Sequence, residues 1–170
     1  QAGIGKATLA YRLARFVLAQ KEDGGGLFGP SEPPTTLALL PQDEVFRRVA
    51  SGGHADLMIV EREFDEKKGK LKKEISAESA RGVATFLRKT AAEGGWRVVI
   101  IDGGEDLNTT SQNALLKILE EPPAKVLMIM TTSQPGALLP TIRSRCRMVM
   151  MKPLSDATMQ KLLQEAIPDL

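Results

Sequence analysis

The class of fold follows from six residues in the middle of the chain, Arg97-Val98-Val99-Ile100-Ile101-Asp102. Four consecutive β-branched residues favour a strand. An unbroken apolar run, without polar alternation, is typical of a strand that is buried on both faces of a parallel sheet. The run ends on a carboxylate, Asp102, which would lie at the carboxyl edge of such a sheet, where α/β proteins bind their ligands.

Outward from this strand, the sequence alternates between the two kinds of regular structure. Apolar runs predict three further strands, at residues 57–60, 126–130 and 148–151. Helical spacing and capping residues predict helices over residues 6–20, 42–50, 76–92, 110–121, 138–143 and 155–166. Alternating charge around Lys68-Gly69-Lys70 predicts an exposed β-hairpin over residues 61–75. Strands that alternate with helices predict a three-layer α/β domain around a parallel sheet.

Composition narrows the classes of protein. A chain of 170 residues, 42% apolar and 26% charged, suits one folded domain. A formal net charge of +2 does not suggest that the chain binds DNA tightly on its own. With only 4% aromatic residues, a surface that stacks the bases of single-stranded nucleic acid is disfavoured as well. The single cysteine, Cys146, excludes an internal disulfide and a four-cysteine zinc site, and favours a reducing compartment. We see no signal peptide and no apolar run of the ~20 residues that span a membrane.

Residues 1–8, QAGIGKAT, read as a glycine-rich turn that opens into a helix. Gly5-Lys6 fits the Gly-Lys of a Walker A phosphate loop, whose next residue is Ser or Thr. Here that residue is Ala7, which cannot supply the hydroxyl that ligates Mg²⁺. Thr8 is not an obvious substitute, since one helical step turns a side chain by about 100°. A phosphate loop follows a strand, so we expect the chain to be an internal piece that lacks the domain's first strand.

The second half of such a site is the acidic strand end. Asp102 fits it, but Gly103-Gly104 stand where a water-polarising Glu is expected, and Glu105 lies past the strand end. Lys6 and the loop amides could still hold an anion at the helix N-terminus. Simpler readings stay open: an ordinary turn before a helix, and Asp102 as the cap of a turn. Two defects in one site predict loss of ATP hydrolysis.

Four stretches together resemble a known family. They are Gly3–Ala10, Gly94–Asp102, Asn113–Pro123 and Leu138–Cys146, and the last two are highly specific. The chain resembles the AAA+ clamp-loader subunits of DNA replication, and among them the delta-prime group of bacterial DNA polymerase III.

The resemblance implies a RecA-like AAA+ P-loop core over residues 1–170, with the helical lid and the collar domain beyond Leu170. It implies a stator that does not hydrolyse ATP, is no enzyme by itself and belongs to the DNA polymerase III holoenzyme, a nucleotidyltransferase complex of the bacterial cytoplasm. Arg145 of the Ser-Arg-Cys motif would be an arginine finger for ATP on a neighbouring gamma/tau subunit. Ser133 falls at the sensor-1 position, and the degenerate phosphate site comprises Gly3, Gly5, Lys6, Ala7, Thr8 and Asp102.

The same resemblance sets the expected ligands and partners. No cofactor is required, although residual ATP, ADP or an anion has a place at the loop. Many relatives carry a four-cysteine zinc module after the first helix; here a Gly/Pro-rich insertion, residues 22–41, stands in its place, so we expect no zinc or other metal. The expected partners are the gamma/tau and delta subunits, with the sliding clamp and primer-template DNA reached through the complex, and no membrane.

Several alternatives remain open. An active AAA+ ATPase could manage with Lys6 and Asp102, and a pure scaffold would contribute no arginine. Arg145 could be an ordinary surface arginine, with Arg143 as an alternative finger. The lysines of residues 67–73 could contact DNA, but the flanking acids favour a solvated hairpin. We expect Cys146 to be a small buried apolar residue and His54 to be a turn residue.

Overall fold

The structure, a computed structural model, describes residues 3–20, 35–93 and 95–166. Its strands are β1 (Leu57–Val60), β2 (Phe64–Asp65), β3 (Lys70–Leu71), β4 (Arg97–Asp102) and β5 (Val126–Thr131). Its helices are α1 (Lys6–Leu18), α2 (Glu44–Ala50), α3 (Ala77–Leu87), α4 (Thr109–Glu120), α5 (Pro140–Arg143) and α6 (Asp156–Ala166), with short 3₁₀ helices at Gly104–Asp106 and Pro135–Ala137.

The main sheet is parallel and has the strand order β1-β4-β5. β4 lies in the centre, with Val98 opposite both Leu57 and Leu127. At the other end of the strand, Asp102 is in register with Thr131. Parallel pairing therefore brings the carboxyl ends of all three strands to one edge, as the sequence predicts for Asp102.

Both faces of the sheet are covered, which confirms the three-layer prediction. Val99 and Ile101 point into a core that includes α3 and α4, while Val98 and Ile100 point into a core that includes α1 and α2. Each of these four side chains is at most 1% exposed, so β4 has no polar face. The uniform apolar run is thus explained by burial on two sides.

Helix α3 begins as predicted but ends early. Ser76 caps it by accepting a hydrogen bond from the Ser79 amide at 3.0 Å. The helix ends at Leu87 instead of residue 92, because the backbone beyond it turns to meet Arg97. The guanidinium of Arg97 donates hydrogen bonds to two carbonyl oxygens: Nη1 to that of Phe86 at 2.8 Å and Nη2 to that of Thr90 at 2.5 Å.

In the predicted helix over residues 110–121 Thr110 is the expected N-cap, but α4 begins at Thr109, two residues earlier than that cap implies. Its N-cap is Asn108, whose side-chain oxygen accepts from the Ser111 amide at 2.9 Å, and not Thr110. Asn and Thr are both good caps, and the choice depends on the turn that precedes the helix. The predicted stop before Pro122-Pro123 is confirmed, since the helix ends at Glu120.

The predicted strand at residues 148–151 is wrong. This segment has no regular structure, and Met148, Val149 and Met150 are 53%, 71% and 75% exposed. Apolar β-formers make a strand only against a partner, and no strand of the described part of the chain pairs with this segment.

The predicted hairpin is confirmed, since β2 and β3 pair antiparallel. Most of the predicted insertion falls at residues 21–34, outside the described residues. No helix among the residues described here is long and apolar enough to cross a membrane.

A buried ion pair holds the opposite edge of the sheet. Asp56 precedes β1 and is 1% exposed, and Arg97 at the start of β4 is 7% exposed. Arg97 Nη2 lies 3.3 Å from Asp56 Oδ1. The same carboxylate accepts from the Ala92 and Glu93 amides at 2.8 and 3.0 Å. One carboxylate therefore ties β1, β4 and the α3–β4 connection together.

Replacing Asp56 by Ala should strongly destabilise the fold, because it leaves the Arg97 charge buried without its partner. We expect the free energy of unfolding in urea to fall by about 3–5 kcal/mol. The matched control is Glu44→Gln, which breaks an exposed pair with Arg48 and should cost about 1 kcal/mol or less. Equal losses in the two variants would contradict this role for Asp56.

Candidate functional site

The glycine turn leads into α1 through two glycines with left-handed backbone. Gly3 and Gly5 have φ values of 75° and 84°, a left-handed conformation that side chains disfavour. Gly5 is the N-cap of α1 and offers no side chain to the free amides of the first turn. α1 packs on β4 and β5, so its N-terminal turn belongs to the same layered unit as the strand ends.

The residues at the start of α1 separate into two environments. Lys6 and Ala7 are half-buried, whereas Thr8 is exposed. Ala7 presents a methyl group where the Walker A pattern has a hydroxyl. Thr8 therefore does not share the environment of Ala7, in keeping with the turn of about 100° between neighbouring helical residues.

Asp102 is held at the end of β4 by its neighbour on β5. The hydroxyl of Thr131 donates a hydrogen bond to Asp102 Oδ1. The same oxygen of Thr131 accepts from the Gly103 amide at 3.2 Å. Thr131 is only 6% exposed, so the carboxylate has a fixed partner at the edge of the core.

The carboxylates of this edge also act on α1. Burial raises the pKa of Tyr11, and the negative charges of Glu61 and Asp102 raise it further. Glu61 follows β1 and Asp102 ends β4. The negative charges at the ends of β1 and β4 thus act on a side chain of the first helix.

Glu105 reaches back to the sheet, which the sequence did not predict. It lies in the 3₁₀ helix at Gly104–Asp106, and that turn directs its carboxylate to the segment after β5. The Ser133 amide lies 3.2 Å from both carboxylate oxygens, and the Ser133 hydroxyl donates to Oε1 at 2.5 Å. Ser133, predicted as a sensor-like residue, is therefore bound to an acid of its own chain.

These contacts make Glu105 a weak base. Burial raises the pKa of Glu105, but hydrogen bonds from the Ser133 hydroxyl, the Thr132 hydroxyl and two backbone amides outweigh it and lower the pKa to about 2. A general base works best when its pKa lies near the operating pH. In this geometry Glu105 connects the segment after β4 with the segment after β5.

Arg145 lies on a different part of the surface, directly after α5. Its Nη1 donates to the Thr141 carbonyl at 2.9 Å, with the Ser144 hydroxyl at 3.4 Å. Its Nη2 lies 2.7 Å from Glu120 Oε1, at the last residue of α4. The side chain remains 35% exposed. Arg143 is exposed as well, and no ion pair is found for it among the described residues.

Cys146 corrects one prediction. It is exposed, whereas the sequence analysis expected a small buried residue. The reason is local: α5 ends at Arg143, and residues 144–150 are all exposed.

His54, by contrast, is a buried turn residue whose Nδ1 accepts from the Asp56 amide at 3.2 Å. In the ranges that the structure covers, no group of three potential ligands could hold a metal ion.

Gln112 is a positioning residue that the sequence analysis missed. It is 3% exposed in the middle of α4. Its Nε2 donates to the Leu107 and Ala137 carbonyls at 2.9 and 3.1 Å, and its Oε1 accepts from the Leu139 amide at 2.7 Å. Leu139 is the N-cap of α5, so Gln112 fixes the helix that leads to Arg145. The sequence did hold one indication of this role, since a glutamine on the leucine-rich face of α4 predicts a buried polar side chain that needs hydrogen-bond partners.

The lysine-rich hairpin neutralises part of its own charge. Lys72 pairs with Glu63, and Lys68 lies 3.6 Å from Asp65. Glu63 also accepts from the Ser79 hydroxyl at 2.8 Å, which ties the hairpin to α3. These contacts suit the solvated hairpin, and direct contact of Lys67–Lys73 with DNA stays a prediction.

The Glu105–Ser133 contact has a measurable pH signature. The pKa of Glu105 is about 2 in the folded chain against an ordinary value of 4.5. A depressed carboxyl pKa adds stability above the unfolded value, and this stability is lost as the pH falls from about 4.5 towards 2. We expect Ser133→Ala, followed by urea unfolding across this window, to show a shallower pH dependence than the parent chain. An unchanged pH profile would contradict the contact.

Comparison with known proteins gives consistent matches. A family profile described as "DNA polymerase III, delta subunit" matches residues 1–155. The DNA polymerase III subunit delta' of Pseudomonas aeruginosa is 33% identical over 168 residues, which are 99% of this chain and 46% of that protein. The subunit of the same name from Escherichia coli is 31% identical over 151 residues, or 89% of this chain and 40% of that protein. The chain thus spans less than half the length of these relatives.

A solved structure supports the fold. A DNA polymerase III gamma subunit-related protein from Thermotoga maritima superposes with a TM-score of 0.54 at 25% identity, over 74% of this chain and 41% of that one. A shorter match, 44% identical over 68 residues, is to the DNA polymerase III subunit gamma/tau of Mycobacterium tuberculosis, covering 40% of this chain and 12% of that protein.

Proposed function

The chain belongs to the DNA polymerase III delta-subunit family, with the delta' subunits as its relatives, and on this premise we propose that it is the stator of a clamp loader. In this role it supports ATP-dependent loading of the sliding clamp on DNA but does not hydrolyse ATP itself. It lends Arg145 to ATP bound by an adjoining subunit. The observation that carries the proposal is an exposed, anchored Arg145 in a chain whose own phosphate loop carries Ala7.

The chain's own loop supports binding more than hydrolysis. Gly3, Gly5 and Lys6 retain the backbone turn and the cation of a phosphate loop. Ala7 offers no hydroxyl to Mg²⁺, which neutralises β- and γ-phosphate charge during transfer. The hydrogen bonds that Glu105 accepts from Ser133 lower the basicity of its carboxylate, so Glu105 is poorly suited to activate water. Residual ATP, ADP or an anion at this loop is compatible with the role and not required by it.

Arg145 has the chemistry of an arginine finger. A guanidinium is always ionised and presents a planar fork of donors that matches phosphate oxygens. Such a group, supplied from a neighbouring subunit, stabilises the charge that builds on the transferring phosphoryl group. Helix α5 and Gln112 hold the finger segment against the domain, so the charge is delivered from a defined place.

The partners follow from the same role. We propose gamma/tau subunits as the neighbours that bind and hydrolyse ATP, a delta subunit as a further component, and the sliding clamp and primer-template DNA as contacts made through the complex. The relatives are bacterial replication proteins, which supports a cytoplasmic location.

Replacing Arg145 by Ala in a reconstituted loader should slow ATP turnover without disturbing the fold. An arginine finger contributes about 10³–10⁵ in rate at its site, so hydrolysis at the one adjoining site should be lost while other sites continue. ATP turnover is measured in loaders in which only the adjoining site can bind ATP. Folding is checked by thermal unfolding of the subunit. Arg143→Ala is the matched control and should keep the parental rate. An unchanged rate in Arg145→Ala would contradict the arginine-finger role.

The second candidate function is an active ATPase, which the phosphate-loop backbone and Lys6 favour. The two functions differ in the behaviour of the full-length subunit alone. On the stator proposal it hydrolyses no ATP, and added Mg²⁺ brings no activity, because Ala7 cannot ligate the ion. Phosphate release is the measurement. Mg²⁺-dependent release that disappears in Lys6→Ala would establish the ATPase instead.

A further inference from the structure

We propose that Glu120 is the positioning residue that orients Arg145 towards the adjoining subunit's nucleotide. This inference rests on the proposed function, since it concerns the same arginine. The proposal gives Arg145 a carboxylate partner, and removing that carboxylate should reduce the rate contribution of Arg145 without abolishing it.

The guanidinium of Arg145 is bound along one edge only. Nη1 faces the Thr141 carbonyl and the Ser144 hydroxyl, and Nη2 faces Glu120. Nε donates to no acceptor in the ranges that the structure describes. Nε therefore keeps a donor for a phosphate oxygen, a ligand that the planar donors of a guanidinium match. The side chain is 35% exposed, so a neighbouring subunit can reach it.

Glu120 stands where helix stability alone does not favour a carboxylate. It is the last residue of α4, and a helix C-terminus carries partial negative charge. The guanidinium of Arg145, 2.7 Å away, offsets that charge. Glu121 follows directly and is also exposed, but no side-chain partner is found for it in the described part of the chain. Of these two neighbouring acids, Glu120 is the one that contacts Arg145 in the described part of the chain.

The strength of the contact suits a positioning role. An exposed ion pair shifts a rotamer population by about two- to fivefold, far less than a phosphate contact provides. Glu120 therefore favours the Arg145 rotamer seen in the structure. It does not compete with the phosphate when the subunits assemble.

The test compares Glu120→Gln with Glu121→Gln in the reconstituted loader. We expect Glu120→Gln to lower kcat at the adjoining site by about two- to fivefold with KM unchanged, since ATP binds to the neighbouring subunit. Glu121→Gln should match the parent. The difference should shrink at high ionic strength, because salt screens an exposed pair. In an Arg145→Ala background, Glu120→Gln should have no further effect.

The outcomes separate the two proposals. If Arg145→Ala slows turnover but Glu120→Gln behaves like Glu121→Gln, the role of Glu120 is wrong and the stator function stands. If Glu120→Gln still slows turnover when Arg145 is absent, Glu120 acts by another route and the inference is overturned. If Arg145→Ala has no effect, the finger assignment itself is wrong, and the role of Glu120 with it.

Discussion

The central strand β4 is the constraint on which the rest of the structure depends. Its residues from Val98 to Ile101 are buried on both faces, and it pairs in parallel with β1 on one side and β5 on the other. A shift of register by one residue would turn each apolar side chain to the wrong core. The fixed register places Asp102 beside Thr131 and brings Glu105 within reach of Ser133. Packing in the core thus decides which polar groups meet at the edge.

Local sequence was sufficient where the cause of a structure is local. The strand at Arg97–Asp102, the start of α1 at Lys6 and the Ser76 cap follow from β-branched residues, glycines and a serine within a few positions. The Glu105–Ser133 and Gln112–Leu139 contacts join residues 28 and 27 positions apart, so no local pattern reveals them. The strand expected at residues 148–151 and the burial expected of Cys146 were wrong for the same reason: both depend on what the segment packs against.

The proposed function rests on two regions of the chain. At the carboxyl edge of the sheet, Asp102 and Glu105 accept hydrogen bonds from the hydroxyl groups of Thr131 and Ser133. At the end of α5, a guanidinium is anchored by backbone, serine and carboxylate but stays open on one side. This contrast is the basis of our proposal that the chain completes a neighbour's site and does not hydrolyse ATP at its own. Gln112 gives the arrangement rigidity, because it bonds α4 to the start of α5 within the core.

The most direct test of the stator role is a structure of the assembled loader with a non-hydrolysable ATP analogue and Mg²⁺. We expect the guanidinium of Arg145 to lie about 2.7–2.9 Å from oxygens of the terminal phosphate on the adjoining subunit. We also expect no Mg²⁺-bound triphosphate beside Ala7. An Arg145 turned away from every nucleotide, together with a fully coordinated Mg²⁺–triphosphate at this chain's own loop, would contradict the stator role.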